Sequence, residues 1–346
     1  MSDTISFIKF TKTRDIGNKE GKNSNVFLAT DDQLGDELVI KQMEKSKFKP
    51  DEYFSESKML YASKHPNIVQ IQYASQDADN IYLAMPFYVN GSLNSLAEKR
   101  FLTVREIIKY SLDLLSAVSY IHSRGLLHLD IKPTNILLDE SGKAVLTDFG
   151  LSRYMDENGI ADQPINYRLH SDPEWYLHSG RTNQSDIYQI GLTIYRLCNG
   201  VGILNQQLGN MGIDNVDKLG EYITKGKFPD RKYFMPHIPK KLQKVILKAL
   251  EVDPSNRYNN TITMMNDLSV INDNLDWIFT GNMGNPYTKI DASYQYDIFI
   301  KLNKDIECYK TNLESKKRNK ISKYCIKCIN EKDFGKNLTE IVGGLN

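Results

Sequence analysis

The chain has 346 residues, too many for one compact domain, so its length predicts two lobes and an extension. Hydrophobic residues make up 40% and charged residues 25%, and a net charge of +1 supplies no global field that would select nucleic acid or a membrane surface as partner. Four cysteines (Cys198, Cys308, Cys325 and Cys328) are too few for a disulfide scaffold and fit a reducing compartment, so a cytoplasmic location is expected.

The opening residues, Met1-Ser2-Asp3-Thr4, lack a basic segment followed by an apolar run, which predicts no leader peptide. Residues 7–85 alternate short β-like runs with one helical stretch. Val26-Phe27-Leu28-Ala29 and Glu37-Leu38-Val39-Ile40-Lys41 read as strands, 51–63 as a helix, and 68–73 and 81–85 as strands again. The prediction is a small sheet with one helix packed on it. From Ser92 the pattern becomes mainly helical, at 104–123, 185–198, 239–251 and 261–272. Apolar residues occupy most faces of the 185–198 helix, so it should be central. The most apolar stretches, 81–89 and 187–204, are too short or carry Gln189, Arg196 and Asn199, so no membrane span is expected.

After about residue 274 the character changes. Strands are predicted at 296–302 and 305–309, a basic helix at 317–329 and a short last helix at 338–342. Cys325-Ile326-Lys327-Cys328 then reads as thiols on a helix face; zinc would need two more ligands, and only Cys308 is near in sequence. Between Lys310 and Lys336 nine Lys/Arg face three Asp/Glu. A solvated helix face is the ordinary reading, and a partner-docking surface is the functional one.

The most informative block is His128-Leu129-Asp130-Ile131-Lys132-Pro133-Thr134-Asn135, followed after a short hairpin by Asp148-Phe149-Gly150. Each piece alone reads as a turn. In order, and flanked by strand-like Asn135-Ile136-Leu137-Leu138 and Ala144-Val145-Leu146-Thr147, they resemble the catalytic core of protein kinases, Asp-x-Lys-x-x-Asn and then Asp-Phe-Gly. The resemblance implies an α+β, bilobal fold. A β-rich N-lobe would span 1–86 and a mainly helical C-lobe 87–274; the resemblance runs from about 11 to 268 and does not cover 275–346, which the change of pattern alone marks as a small α+β extension of unknown role. The resemblance implies ATP with Mg²⁺ (Mn²⁺ as the alternative metal) between the lobes. Asn135 and Asp148 would be hard oxygen ligands to the metal. Asp130 would orient the acceptor hydroxyl and take its proton, and Lys132 would balance charge on the γ-phosphate.

The rest of the constellation follows the same resemblance. Lys41, after the run Val39-Ile40, would hold the α/β-phosphates. Glu56 would be its carboxylate partner, ahead of His65-Pro66-Asn67-Ile68-Val69; a buried lysine needs such a partner to stay charged. Val26 and Val39 would roof an adenine slot and Leu137 would floor it. Met85 would be the gatekeeper, with Pro86, Phe87 and Tyr88 as the hinge. Asp172-Pro173-Glu174 resembles the family's Ala-Pro-Glu, with Glu174 expected to pair with Arg257 and Asp186 to hold the catalytic loop. Lys132, two residues after the base, resembles the Ser/Thr branch, so the expected partner is a protein with a Ser or Thr acceptor.

Three departures stand out. The phosphate loop keeps Gly21 in place of the middle glycine, with Gly17 as the first in a shifted register, but Ser24 stands where the last glycine belongs. Leu129 replaces the arginine that usually precedes the catalytic Asp, and 148–174 contains no threonine; only Ser152, Tyr154, Tyr167 and Ser171 carry hydroxyls there. Tyr167 occupies the usual position of a threonine. Activity independent of loop phosphorylation is therefore expected. The variant motif resembles bacterial members, with a role in stress or defence signalling as a further expectation. The alternatives are a nucleotide-binding pseudokinase scaffold and a small-molecule phosphotransferase. Oligomeric state is not specified.

Overall fold

The computed structural model describes residues 8–16, 24–33, 35–47, 54–162, 168–282, 284–327 and 331–345, the side chains of 331 and 332 excepted. Gly17, Gly21, Tyr167 and Cys328 lie outside the described residues.

Strands β1 (Phe10–Asp15), β2 (Ser24–Asp31), β3 (Glu37–Glu44), β4 (Tyr73–Gln76) and β5 (Asn80–Pro86) form one antiparallel sheet in the order β1-β2-β3-β5-β4. Helix α1 (Ser55–Ala62) lies between β3 and β4 in sequence. Residues directly opposite across neighbouring strands share a face, and faces alternate along each strand. The register pairs Val26 with Lys41, Lys41 with Leu83, and Val39 with Met85. Val26, Val39, Lys41 and Met85 therefore point to one side, while Leu38, Ile40, Phe27, Ala29 and Ala84 build an apolar cluster on the other. The predicted strand at 68–73 is corrected. Leu146 N donates to Asn67 O at 2.8 Å and Val69 N donates to Leu146 O at 2.9 Å, so the backbone here pairs with the larger lobe. The strand starts only at Tyr73.

The larger lobe is built on α2 (Leu93–Lys99) and α3 (Val104–Ser123), then β6 (Leu126–Leu127), β7 (Ile136–Leu138), β8 (Ala144–Leu146) and β9 (Arg153–Tyr154), and then α4 (Pro173–Tyr176), α5 (Asn183–Asn199), α6 (Ile203–Met211), α7 (Val216–Thr224), α8 (Lys240–Ala249) and α9 (Thr261–Ser269). A capping box sets the start of α3: Thr103 Oγ1 accepts from Glu106 N, and Glu106 returns a bond to Thr103 N. Thr182 and Ser185 do the same for α5, which ends at Gly200 with φ +93°. Fourteen of the 17 residues of α5 are buried, which makes it the central helix expected from its apolar faces. One apolar cluster joins α1, α3, α5, α8 and α9, and it reaches up to Met59, Leu60 and Met85.

The last unit is an antiparallel meander of β10 (Ile278–Phe279), β11 (Tyr287–Ile290), β12 (Tyr294–Ile300), β13 (Ile306–Asn312) and β14 (Arg318–Lys320), covered by α10 (Glu331–Gly344). Trp277, Tyr287, Ile298, Ile306 and Cys308 pack against Leu338, Ile341 and Val342 as a second core. Three expectations are corrected here. The basic run at 317–329 is not a helix; Thr311 pairs with Arg318 and Tyr309 with Lys320, so it supplies an edge strand and then a 3-10 turn at Ser322–Tyr324. The Arg318 guanidinium lies 4.0 Å from the Tyr309 ring centroid and 4.8 Å from that of Phe299, a cross-strand stack that a helix would forgo. The final helix is far longer than 338–342. Cys308 sits on β13 and Cys325 after the 3-10 turn, so neither thiol lies on a helix face. The unit joins the large lobe through Arg105–Asp276 bonds of 2.6 and 2.8 Å and an edge-to-face pair of Phe101 and Phe279. Among the described residues no helix is long and apolar enough to cross a membrane.

Candidate active site

Lys41 projects from the inner face of β3 and meets two carboxylates. Its Nζ lies 2.8 and 2.9 Å from the two oxygens of Glu56, in the first turn of α1, and 2.8 Å from Asp148 Oδ1. Burial alone would drive the ammonium toward neutrality, but Asp148 and then Glu56 outweigh it and hold the lysine charged, above its ordinary range. The same lysine is the main reason that Asp148 stays ionised, well below the usual carboxylate range. Asp148 adopts φ +63°, a conformation that ordinarily favours glycine, and its side chain keeps 43% of its surface open. Phe149 beside it is buried, with its ring edge-to-face on His128 at 4.8 Å. A Cβ at Gly150 would lie 3.3 Å from Asp148 Oδ1 and 3.5 Å from Lys41 Nζ, so only glycine leaves this ion cluster uncrowded.

The loop after β6 is held from beneath by α5. Asp186 Oδ2 accepts from His128 N at 2.9 Å and Oδ1 from Leu129 N at 2.8 Å, the role expected for it. Gln189 accepts from Ile131 N at 2.8 Å and donates to Leu129 O at 3.0 Å. His122 Nε2 lies 2.8 Å from Asp186 Oδ2. Burial would raise the Asp186 carboxyl, but His122 and His128 keep it below its ordinary value. Gln189 and His122 were missed by sequence reasoning: each acts from a helix, far along the chain, and neither belongs to a local motif. Leu129 has φ +64° and is buried with Leu127 and Ala161, so the position before Asp130 fills an apolar niche.

Asp130, Lys132 and Asn135 converge above that loop. Lys132 Nζ is 3.0 Å from Asp130 Oδ2, and Asn135 Nδ2 donates to the same oxygen at 2.8 Å and to Asp130 O at 2.9 Å. Asp130 Oδ1 is buried with no hydrogen-bond partner among the described residues. Burial raises the Asp130 carboxyl to about 6, with Lys132 opposing and Asp148 adding to the rise. Because both Asn135 bonds use its NH₂, its Oδ1 is left as an oxygen donor atom. Thr147 N donates to Asn135 O at 3.0 Å and holds the two loops side by side. One amide oxygen and one half-open carboxylate form a hard donor set, which fits Mg²⁺.

The slot residues come from both lobes. Val26, Val39 and Met85 share the sheet face of Lys41, and Met85 is buried at the end of β5, with Phe87 and Tyr88 next in the chain. Leu137 is half-buried on β7, opposite Val145 and bridged to Ser92. Ser24 opens β2. Farther out, Arg257 meets the two oxygens of Glu174 at 2.8 and 2.9 Å, both side chains buried, the pair expected from sequence. Asp172 caps α4 by accepting from Trp175 N at 2.9 Å and meets Arg181 Nε at 3.2 Å, a use for the Asp that replaces the usual Ala.

The family profile for the protein kinase domain matches residues 10–268. The chain is 29% identical over 257 residues to the probable serine/threonine-protein kinase PknB of Lactococcus lactis, covering 72% of this chain and 40% of that protein. It is 28% identical over 246 residues to the CBL-interacting serine/threonine-protein kinase 20 of Arabidopsis thaliana, covering 69% of this chain and 54% of that one. Against the serine/threonine-protein kinase PrkC of Bacillus subtilis it is 27% identical over 261 residues, 72% of this chain and 38% of that protein. The chain thus spans roughly half or less of the curated relatives it matches.

Proposed function

The chain belongs to the protein kinase domain family, and on that premise we propose that it transfers the γ-phosphoryl group of ATP to Ser or Thr hydroxyls of protein substrates. The observation that most supports this is the unbroken set of contacts from Glu56 through Lys41 to Asp148, standing beside the Asp130–Lys132–Asn135 cluster. A nucleotide-free scaffold has no need of that geometry.

Lys41 would hold the α/β-phosphates, kept in place by Glu56. Asn135 and Asp148 would ligate Mg²⁺, with Mn²⁺ served by the same oxygens; the ion, when bound, neutralises phosphate charge. Val26, Val39, Leu137 and Met85 would enclose the adenine, and the backbone at Phe87 and Tyr88 would pair with its edge. Ser24, with Gly17 and Gly21, would border the phosphates. Asp130 would direct the acceptor hydroxyl through its unpartnered Oδ1 and take the proton. Lys132 would face the transferred group.

Regulation is read from Leu129. An apolar side chain in an apolar niche offers no cation to a phosphorylated loop, and the Lys41–Glu56 pair is closed without one. We therefore assign activity that does not depend on loop phosphorylation; cysteine usage supports a cytoplasmic location, and the basic segment within 310–336 is the surface proposed to dock a partner. The test is transfer from radiolabelled ATP to a mixed pool of Ser/Thr peptides, wild type against Asp148→Ala. Labelling is expected only in the wild type; equal labelling in both removes the metal role assigned to Asp148.

A further inference from the structure

The sheet of the C-terminal unit has two faces, and the roles above use only one. Ile298, Ile306 and Cys308 pack under α10 on that face. Residues opposite each other across strands share a face, and faces alternate along each strand. The register sets Phe299 opposite Glu307, Tyr309 opposite Lys320 and Thr311 opposite Arg318. Phe299, Glu307, Tyr309, Arg318 and Lys320 therefore stand together on the outer face of β12–β14. Arg318 and Lys320 are exposed there, and the two rings are half-buried.

Rings, not an acid, hold Arg318 in place. Its guanidinium carbon lies 4.0 Å from the Tyr309 ring centroid and 4.8 Å from that of Phe299, and the two rings meet edge-to-face at 5.7 Å. It makes no ion pair among the described residues. The carboxylates of the face are engaged elsewhere. Glu307 accepts from Lys320 at 2.7 Å and from the Tyr309 hydroxyl at 3.0 Å, and Lys301 lies 3.0 Å from it. Asp297 is buried and accepts from Thr288 at 3.0 Å and from Gln295 at 3.0 and 3.2 Å. A guanidinium stacked in this way keeps its flat edge of N–H groups clear of the rings, and that edge fits the two oxygens of a carboxylate. Arginine and tyrosine are also the residue types that carry most energy at protein interfaces. Single-stranded nucleic acid needs open ring faces on which to stack its bases, and here Arg318 lies over both rings. The surroundings have the same sign as Arg318. From 310 to 327 seven Lys/Arg stand against Glu314 alone, so the patch selects an anionic partner. Lys316 and Lys317 before β14 and Lys323 after it are exposed. Salt screens exposed charges over about 8–10 Å, so selection falls to the acid in direct contact with Arg318.

We propose that the outer face of β12–β14 binds an acidic segment of a partner protein, rich in Asp and Glu, and that Arg318 recognises its carboxylates. The inference rests on the docking role proposed for the basic segment within 310–336 and does not depend on phosphoryl transfer. It is tested on the full chain with four probes: labelled oligo-glutamate, oligo-glutamine, a single-stranded oligonucleotide of the same charge as the oligo-glutamate, and vesicles of phosphatidylserine with phosphatidylcholine. Oligo-glutamate is expected to bind more tightly than the oligonucleotide or the vesicles, and oligo-glutamine not at all. Arg318→Lys keeps the charge at an exposed position but loses the flat edge. It should weaken oligo-glutamate by ~10-fold in Kd, the scale of one charge-assisted hydrogen bond. The ranking of probes by the wild type tests the inference whether or not that variant folds. Equal affinity of wild type and Arg318→Lys for oligo-glutamate, or tighter binding of the oligonucleotide or the vesicles, overturns this inference and leaves a basic docking surface standing. Binding of no probe removes both.

Discussion

At Asp130, burial and the Lys132 ammonium push the carboxyl in opposite directions, and burial prevails, leaving it near about 6. The proton-accepting role proposed for Asp130 requires the ionised form, so kcat/KM should fall as pH drops through this value. A bound cation can only draw the carboxyl lower, so the acid limb is expected at or below about 6. Lys132→Gln removes the largest stabiliser of the charge and should move that limb upward; a pH–rate profile that does not move would break the assignment. Gly150→Ala places a Cβ against Asp148 and Lys41, and kcat is expected to drop by ~10-fold or more while the fold persists. The residues of this cluster were legible in the sequence because their chemistry demands particular side chains at short, regular spacing. Gln189 and His122 were not legible, since no local pattern records which α3 and α5 side chains reach the loop.

Elements with strong local signals came out as expected. Helix α3 starts and stops at 104 and 123 because a capping box and amphipathic spacing agree. Strand β14 did not, because its partner β13 and the Arg318–Tyr309 stack lie outside its own window. The activation segment is anchored by two buried arginine–carboxylate pairs, Arg257–Glu174 and Arg181–Asp172. Arg257→Met would leave Glu174 buried without its cation, at a cost of about 3–5 kcal/mol, read as a lower Tm or denaturant midpoint. The same segment gives an expectation for regulation. Phosphatase treatment should leave peptide phosphorylation unchanged, and a large loss traced to Ser152, Tyr154, Tyr167 or Ser171 would contradict the role given to Leu129.

Across the whole molecule, the two-lobed arrangement brings the face of β3 against loops that lie 107 residues away at Asp148. The C-terminal unit has its own core, so its stability should be separable from the site. Trp277→Ala is expected to cost about 3–5 kcal/mol, seen as early loss of amide protection in β11–β13, with nucleotide affinity kept. Arg105→Ala removes an exposed pair and should cost under about 1 kcal/mol by the same measurement. The sequence by itself determined which side chains form the Lys41–Glu56–Asp148 and Asp130–Lys132–Asn135 clusters and most of the alternation of strand and helix up to residue 274, because side-chain chemistry and hydrophobic period are written locally. Tertiary structure decided which partners hold those groups, where Leu129 points, and that Gln189 and His122 reach the loop beneath Asp130. Those outcomes depend on which distant backbone and side chain happen to meet once the core closes, and no short window of residues carries that information.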